Sequence, residues 1–396
     1  MRRVVLVTAG WGGSQGEAGA VVRLVAGALS ARARVEVVSL CTSGAPNGAD
    51  EAVRTRRDSV FVVHEVAASR AGKVHAGLLR AALARGGGGR LPKISGPRLV
   101  ELEGGVAPGV VELISSLGAD TVLLAGPETW WLPEALGSLR PGVRVVALPL
   151  LGDDPRGELA QFVPLLTGVD AVGVLSRAEG RRVRDGADGF VGPAESVPAE
   201  VAELEVAFSV NRAAAEQLMV GMSHFGRFAV VLTGFPEGTP AAERSPGHDY
   251  VRRWLGPIAV AEVALDRWLI SDLEKVREVP VGPSRPNLWK LLRHAEVCLD
   301  LRPQGIVGRE TIESLILGTP VVVPESTVAA EHAERSNGGL WYRDYREMFD
   351  AAKAILDSPA LRARLSEQGR AWAAEMHGDH ARFSEQVERF ALGEPG

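Results

Sequence analysis

The sequence contains very little cysteine. Its two cysteines, Cys41 and Cys298, lie far apart, each inside an apolar run typical of a strand. Two isolated thiols cannot form a disulfide framework, and their spacing does not match a zinc site. We therefore expect a cytoplasmic protein, held in a reducing compartment.

The sequence also lacks an excess of one charge and lacks a long apolar run. The formal net charge is -5 and the isoelectric point is about 6.0, which argues against nucleic acid as the main partner. No apolar run reaches the length needed to span a bilayer. The opening "MRRVVLVTAG" continues into glycine-rich polar sequence, so it indicates a first strand rather than a signal peptide.

One stretch is locally basic, from Arg54 to Arg98, where arginine and lysine outnumber acidic residues. Two interpretations remain open. The stretch is either a solvated face, or it contacts an anionic acceptor or a membrane surface. Under the second interpretation the protein is cytoplasmic but peripheral to the membrane.

The chain has 396 residues, more than one ordinary core accommodates, which indicates two domains. Its first part opens with an apolar strand, a glycine loop containing Gly12, Gly13 and Gly16, a helix and a second strand. This alternation continues and predicts a doubly wound parallel sheet over residues 1–205. The glycines either form a simple strand-to-helix turn or approach a ligand near a cleft.

A proline-rich acidic stretch follows, and "GRFAVVLTG" then begins a second series of strands and helices. We predict a second Rossmann-like domain over residues 206–370. The tail, residues 371–396, is predicted to be helical with charged faces.

The stretch "GRETIESLILGTPVVVPES", from Gly308 to Ser326, carries the main functional signal. It predicts a helix at the carboxyl edge of a parallel sheet, where α/β proteins bind ligands. The N-terminus of such a helix suits phosphate. Glu310 and Glu313 are three residues apart and share a face, where they could hold the hydroxyls of a sugar or ribose.

This stretch resembles the donor-binding signature of GT-B glycosyltransferases, the family-4-like group in particular. The residues in register with that signature are Gly308, Glu313, Gly318, Thr319, Pro320 and Val321. By this resemblance, Glu313 matches the second glutamate of the E-x7-E motif, which contacts the ribose. The first glutamate falls on Gly305, so Glu310 is the candidate to replace part of its contact with the sugar.

The resemblance implies an α/β fold with two Rossmann-like domains facing a central cleft, and a C-terminal helix that crosses back to the first domain. It also implies a sugar transfer from a nucleotide diphosphate sugar to an unidentified acceptor on the N-terminal domain, without cofactor or metal and with retention of configuration. The implied donor-binding residues are Gly308, Arg309, Glu310, Thr311, Glu313 and Arg302.

The sequence departs from that family at two further places. The histidine that relatives carry after the strand "RVVALPL" is absent, and "LGDDP" stands there instead. The loop "TGFPEGTP" lacks the early basic residues that hold a diphosphate, for which Arg302 or Arg309 could substitute. Asp153 lies in the stretch that replaces this histidine and is one catalytic candidate. The other two are Glu310 and His64, a histidine on or after a predicted strand.

Two alternatives to a glycosyltransferase remain open at this point. One is an epimerase or hydrolase of nucleotide sugars on the same fold. The other is a non-catalytic relative that acts as a partner subunit, which the absent glutamate, histidine and phosphate-binding bases favour.

Overall fold

The computed structural model describes residues 1–9, 11, 17–41, 53–67, 107–126, 129, 132, 136, 141–151, 168–188, 200–219, 222, 227–232, 259–263, 268–272, 277–281, 283–302 and 305–393. The chain forms two compact units. Unit 1 consists of Met1–Val206 and Ala381–Gly396, and unit 2 consists of Ala207–His380. The domain boundaries predicted from the sequence lie after residues 205 and 370, whereas the units divide after residues 206 and 380.

Unit 1 is built on an eight-stranded sheet in the order β3-β4-β2-β1-β5-β6-β7-β8. Its strands are β1 (Arg2–Ala9), β2 (Ala33–Cys41), β3 (Val53–Asp58), β4 (Phe61–Ala67), β5 (Thr121–Ala125), β6 (Arg144–Leu148), β7 (Ala171–Val174) and β8 (Val201–Glu203). Neighbouring strands are parallel, except that β3 pairs antiparallel with β4. Among the described residues of its first segment, the helices are α1 (Glu17–Ser30), α2 (Ala107–Leu117) and α3 (Arg177–Asp188).

The central strand of unit 1 is β1, and its apolar run from Val4 to Val7 is fully buried. A parallel strand covered on both faces requires such a continuous apolar run. Strand order reverses at β1, because β2 pairs on one side of it and β5 on the other. The carboxyl ends of β1 and β5 therefore border the point where doubly wound sheets bind ligands.

Unit 2 is built on a seven-stranded sheet in the order β12-β11-β10-β9-β13-β14-β15. Its strands are β9 (Phe228–Leu232), β10 (Ala259–Val263), β11 (Trp268–Asp272), β12 (Arg277–Val281), β13 (Val297–Asp300), β14 (Val321–Pro324) and β15 (Gly339–Tyr342). The helices that the structure describes in this unit are α4 (Arg212–Glu216), α5 (Arg285–His294), α6 (Arg309–Leu317), α7 (Val328–Ser336), α8 (Tyr345–Asp357) and α9 (Pro359–His377).

Strand order in unit 2 reverses at β9, which pairs parallel with β10 on one side and with β13 on the other. The segment from Leu301 to Gly308 follows β13 and so lies at this reversal point. Strand β11 runs antiparallel to both β10 and β12, which makes β12 parallel to β9. Helices α5 and α6 therefore both begin at the carboxyl edge of this sheet.

The two C-terminal helices belong to different units. Helix α9 stays with unit 2, where it packs closely: a Cβ added at Gly369 would lie 3.0 Å from Cα of Gly338. The last helix, α10 (His380–Leu392), lies almost entirely in unit 1. Within unit 1, Nη1 of Arg2 donates to the carbonyl of Leu392 at 2.7 Å.

Across the residues that the structure describes, no helix is long and apolar enough to cross a membrane. The same residues contain no group of three or more histidine, cysteine, aspartate or glutamate side chains arranged to hold a metal ion.

Candidate functional site

Helix α6 begins and ends at glycines in the left-handed backbone region. Gly308 caps its start with φ of 63°, and Gly318 caps its end with φ of 82°. The N–H of Gly318 donates to Leu315 and the N–H of Thr319 to Ser314, both at 2.9 Å. This pair of bonds is a Schellman motif, which ends the helix. Pro320 cannot continue a helix, so the Gly-Thr-Pro sequence turns the chain directly into β14.

The loop that leads into α6 packs on α7 through His332. A Cβ at Gly308 would lie 3.2 Å from Cδ2 of His332, which leaves little room for a side chain. Nε2 of His332 donates to the carbonyl of Val307 at 2.8 Å. Burial lowers the pKa of His332 to about 4, so the imidazole is neutral near pH 7. A neutral ring protonated on Nε2 fits this bond.

Glu313, the predicted ribose ligand, is completely buried and ion-paired through both oxygens. Nε of Arg309 lies 2.9 Å from Oε1, and Nη1 of Arg285 lies 2.9 Å from Oε2. Burial raises the pKa of Glu313, while the two guanidinium groups lower it. These two arginines are therefore what favours the charged carboxylate at a position without solvent.

Glu310, one turn earlier on the same side, is held by a different pair of arginines. Nη1 of Arg302 lies 2.8 Å from Oε2, and Nη1 of Arg285 lies 2.7 Å from Oε1. Burial alone would raise the pKa of Glu310, but Arg302 and Arg285 together lower it to about 2. Glu310 is thus ionised throughout the physiological range.

Asp300, the last residue of β13, completes the cluster. Nε and Nη2 of Arg302 donate to its two carboxylate oxygens at 2.8 and 2.6 Å. The cluster therefore contains three carboxylates, of Asp300, Glu310 and Glu313, and three guanidinium groups, of Arg285, Arg302 and Arg309. Its formal charge is balanced, which is how buried charges are tolerated.

Arg309 is also fixed from the other side. Its Cζ lies 5.2 Å from the ring centroid of Phe208, within the range of a cation–π interaction. Phe208 is buried, and its N–H donates to the carbonyl of His377 at 2.9 Å. The ring is therefore held in place as a platform under Arg309.

The structure brings the predicted donor-binding residues of unit 2 together at the carboxyl edge of its sheet. The members of this group are Arg302, Gly308, Arg309, Glu310, Thr311 and Glu313. The side chain of Thr311 is buried, as that of Glu313 is. Their predicted contacts with a donor stay predictions.

Of the remaining candidates, Gly12, Gly13, Gly16 and Asp153 lie outside the described residues. His64 lies in the middle of β4 in unit 1 and is buried. Its Nε2 lies 3.0 Å from Oε2 of Glu36, and its Nδ1 lies 2.9 Å from the hydroxyl of Thr55. Both ring nitrogens of His64 thus contact side chains on neighbouring strands. Its catalytic role stays a prediction.

Sequence reasoning missed three members of the site, Arg285, Asp300 and Phe208. The signal for Arg285 was a basic residue at the first position of a helix capped by Ser284, where the helix dipole disfavours positive charge. The signal for Asp300 was an acid that ends a buried apolar strand. No signal in the sequence marked Phe208.

Unit 1 contains a further buried acid that the sequence did not indicate, Glu179 in the first turn of α3. Its two oxygens accept the N–H groups of Leu151 and Leu175, each at 2.7 Å. It thereby joins the segments that follow β6 and β7. Burial raises its pKa to about 7, against the lowering effect of the two N–H groups and of Arg182.

Comparison with solved structures covers almost the entire chain. An E. coli trehalose-6-phosphate protein bound with UDP-2-fluoro glucose matches with a TM-score of 0.68 at 13% identity, over 97% of both chains. An α,α-trehalose-phosphate synthase (UDP-forming) from Burkholderia vietnamiensis matches with a TM-score of 0.68 at 14% identity, over 98% of this chain and 96% of that one. The chain has the GT-B fold.

A sucrose-phosphate synthase from Thermosynechococcus elongatus shares the GT-B fold with this chain, with a TM-score of 0.60 at 16% identity over 98% of both chains. No protein-family model and no curated protein sequence matches the chain. The predicted fold class, two Rossmann-like sheets of GT-B type, is confirmed. At these identities the likeness establishes the fold alone.

Proposed function

We propose that the protein is a glycosyltransferase that moves a sugar from a nucleotide diphosphate sugar to an acceptor. The observation that carries this proposal is the arginine–carboxylate cluster at the strand-order reversal of unit 2. A doubly wound sheet binds its ligand at that point. The likeness to GT-B structures, one of them bound with UDP-2-fluoro glucose, supports the same assignment.

The cluster suits a donor with a charged half and a hydroxylated half. Guanidinium groups bind a diphosphate through paired charge-assisted hydrogen bonds, and they stabilise the charge that develops as it leaves. Carboxylates accept hydrogen bonds from ribose or sugar hydroxyls. Glu310 retains some solvent exposure, 15% of its side chain, whereas Glu313 has none. A ribose contact by Glu313 would therefore require Arg285 or Arg309 to shift when the donor binds.

We propose further that transfer is metal-independent and retains the anomeric configuration. Both proposals rest on the resemblance of the segment from Gly308 to Val321 to the GT-B donor signature. Assaying transfer with and without a chelator tests the first. Determining the anomeric configuration of the product by NMR tests the second.

For the acceptor we propose an anionic sugar, such as a sugar phosphate. Two solved structures similar to this chain are named as an α,α-trehalose-phosphate synthase and a sucrose-phosphate synthase. The locally basic stretch from Arg54 to Arg98 supports an anionic ligand as well. An anionic membrane surface is the alternative, and binding to vesicles of anionic lipid distinguishes it from a soluble acceptor.

A thermal-shift panel of UDP, GDP, ADP and TDP, each with its common sugar conjugates, is the first test. A ligand that binds only the native state raises the melting temperature by mass action. We expect one nucleotide to do so and its sugar conjugate to be consumed when an acceptor is added. No shift with any of these compounds would contradict the proposal.

A non-catalytic partner subunit is the second candidate. Two observations favour it, the glycine at position 305 where the family motif has its first glutamate, and the complete pairing of Glu313. Nucleotide binding without turnover of any nucleotide sugar, in the presence of the acceptor panel, would favour this candidate over the enzyme.

A further inference from the structure

The three arginines of the cluster differ in how many of their nitrogens are already occupied. Arg302 uses all three, with Nε and Nη2 on Asp300 and Nη1 on Glu310. Arg309 donates from Nε to Glu313 and lies over Phe208, with only 19% of its side chain exposed. Arg302 therefore has no nitrogen without a carboxylate partner, and in Arg309 the Nε donor is already bonded to Glu313, so neither can bind a phosphate through Nε and Nη2 together.

Arg285 is different. Its two bonds to the cluster both come from Nη1, which lies 2.7 Å from Glu310 and 2.9 Å from Glu313. The described part of the chain supplies no acceptor for its Nε or its Nη2. It is also the most exposed of the three, with 33% of its side chain accessible.

Because Glu310 and Glu313 both bond Nη1, they fix the guanidinium of Arg285 and do not occupy the edge formed by its Nε and Nη2. The Nε and Nη2 donors on that edge are parallel and spaced to bind two oxygens of one phosphate. Their position is held before a ligand arrives, which lowers the entropic cost of binding. Arg285 lies at the carboxyl edge of the sheet, as the segment after β13 does, because β12 runs parallel to β9.

We infer that Arg285 is the residue that binds the diphosphate of the nucleotide donor, through Nε and Nη2. Glu310 and Glu313 hold its guanidinium in position through Nη1. The inference rests on the proposed function and names one residue of that same site. Arg285 then takes the role for which the sequence offered Arg302 or Arg309. Arg302 instead positions Asp300 and Glu310.

The test compares the affinities of a nucleoside diphosphate and its parent nucleoside, measured by isothermal titration calorimetry. The diphosphate is the one among UDP, GDP, ADP and TDP that stabilises the wild-type protein most. Arg285→Lys keeps a positive charge against Glu310 and Glu313 but loses the fork. We expect it to weaken binding of the diphosphate roughly tenfold, the loss of one charge-assisted bond, and to leave nucleoside binding unchanged.

Arg293→Ala is the matched control, because Arg293 is an exposed arginine in the last turn of the same helix. We expect it to change neither affinity. Arg285→Gln serves as a second variant if Arg285→Lys does not fold, with melting temperature as the check, and we expect a loss of diphosphate affinity larger than tenfold.

Three results would overturn the inference. Unchanged diphosphate affinity in Arg285→Lys, with binding by the wild type intact, would overturn the role of Arg285 and leave the proposed function standing. An equal loss for the diphosphate and the nucleoside would mean that Arg285 only maintains the site. A wild type that binds none of the four nucleotides would overturn the proposed function, and this inference with it.

Discussion

Arg302 binds the carboxylate of Asp300 through two parallel hydrogen bonds, from Nε at 2.8 Å and from Nη2 at 2.6 Å. The two residues are separated by only one position, so the segment after β13 folds back on its own strand end. The backbone N–H of Arg302 adds a third bond to the same carboxylate, at 3.0 Å. This turn fixes where the chain leaves the sheet before it reaches α6.

Asp300→Asn is expected to destabilise unit 2 by about 3 kcal/mol, because removing one partner leaves a charge of a largely buried pair uncompensated. Urea denaturation of the variant and the wild type measures the difference. Glu347→Gln is the control, since Glu347 bonds Arg343 with comparable geometry on the surface. It should not change stability measurably. Equal effects of the two variants would contradict the structural role of the Asp300 pair.

Gly308→Ala is expected to cost about 2 kcal/mol, because alanine is strained at positive φ and its Cβ would meet His332. Gly318→Ala should cost about 1 kcal/mol, since its Cβ would lie 3.7 Å from the flexible side chain of Arg370. Gly27 lies on the exposed side of α1 with no atom within 4 Å of an added Cβ. Gly27→Ala should therefore stabilise the protein, by about 0.5 kcal/mol. Melting temperatures of the three variants test this order.

Glu179 should make unit 1 less stable as the pH rises. Its pKa is about 7 in the folded protein, against an ordinary value of 4.5, so between these values the unfolded chain loses a proton that the folded chain keeps. The contribution of Glu179 is greatest below pH 4.5 and falls by about 3 kcal/mol by pH 7. Hydrogen exchange of peptides from α3 measures this trend, and Glu179→Gln should flatten it. Identical pH profiles in the variant and wild type would contradict the raised pKa.

His332 should have the opposite effect on unit 2. Its pKa is about 4 when folded and near 6.5 when unfolded, so acidification protonates the unfolded chain first. The contribution of His332 to the free energy of unfolding is complete above pH 6.5 and falls by about 3 kcal/mol as the pH drops to 4. His332→Gln keeps an N–H for the carbonyl of Val307 without titrating, and should remove this dependence. Hydrogen exchange of α7 peptides, normalised to the rates of the unfolded chain, provides the measurement.

Glu313→Ala illustrates how the structure changes a prediction made from sequence. The sequence motif predicts that this variant weakens nucleotide binding and leaves the fold intact. Because Glu313 is fully buried between Arg285 and Arg309, we also expect a loss of stability of about 3 kcal/mol. Nucleotide affinity should therefore be measured well below the melting temperature of the variant. Unchanged affinity in a folded sample would contradict the ribose assignment.

Local sequence was sufficient to predict α6 and its neighbours. The Gly-Thr-Pro turn and the apolar strand after it are encoded by adjacent residues, and the spacing of Glu310 and Glu313 indicated a shared face. Arg285 touches both carboxylates through one nitrogen, which shows that they do share a face. The alternation of strands and helices was likewise enough to indicate two doubly wound sheets.

The pairing of these acids could not be predicted in the same way. Arg285 is 28 residues before Glu313, and only the parallel arrangement of β12, β9 and β13 brings the starts of α5 and α6 to one edge. The burial of Glu313 depends on packing around all sides of α6, where every residue from Thr311 to Leu317 is buried. Periodicity reports the face that a residue occupies, but it does not report what covers that face.

The hydrogen bond between Phe208 and His377 has a topological consequence. It joins the first and last parts of unit 2 at 2.9 Å, and the hydroxyl of Ser209 lies 2.9 Å from Nε2 of His380. Unit 2 thus starts and finishes at one place and has the connectivity of an insertion domain within unit 1. We therefore expect residues 207–380 to fold when expressed alone. We also expect unit 2 to tolerate joining of its ends with new termini opened elsewhere, because its sheet would stay intact.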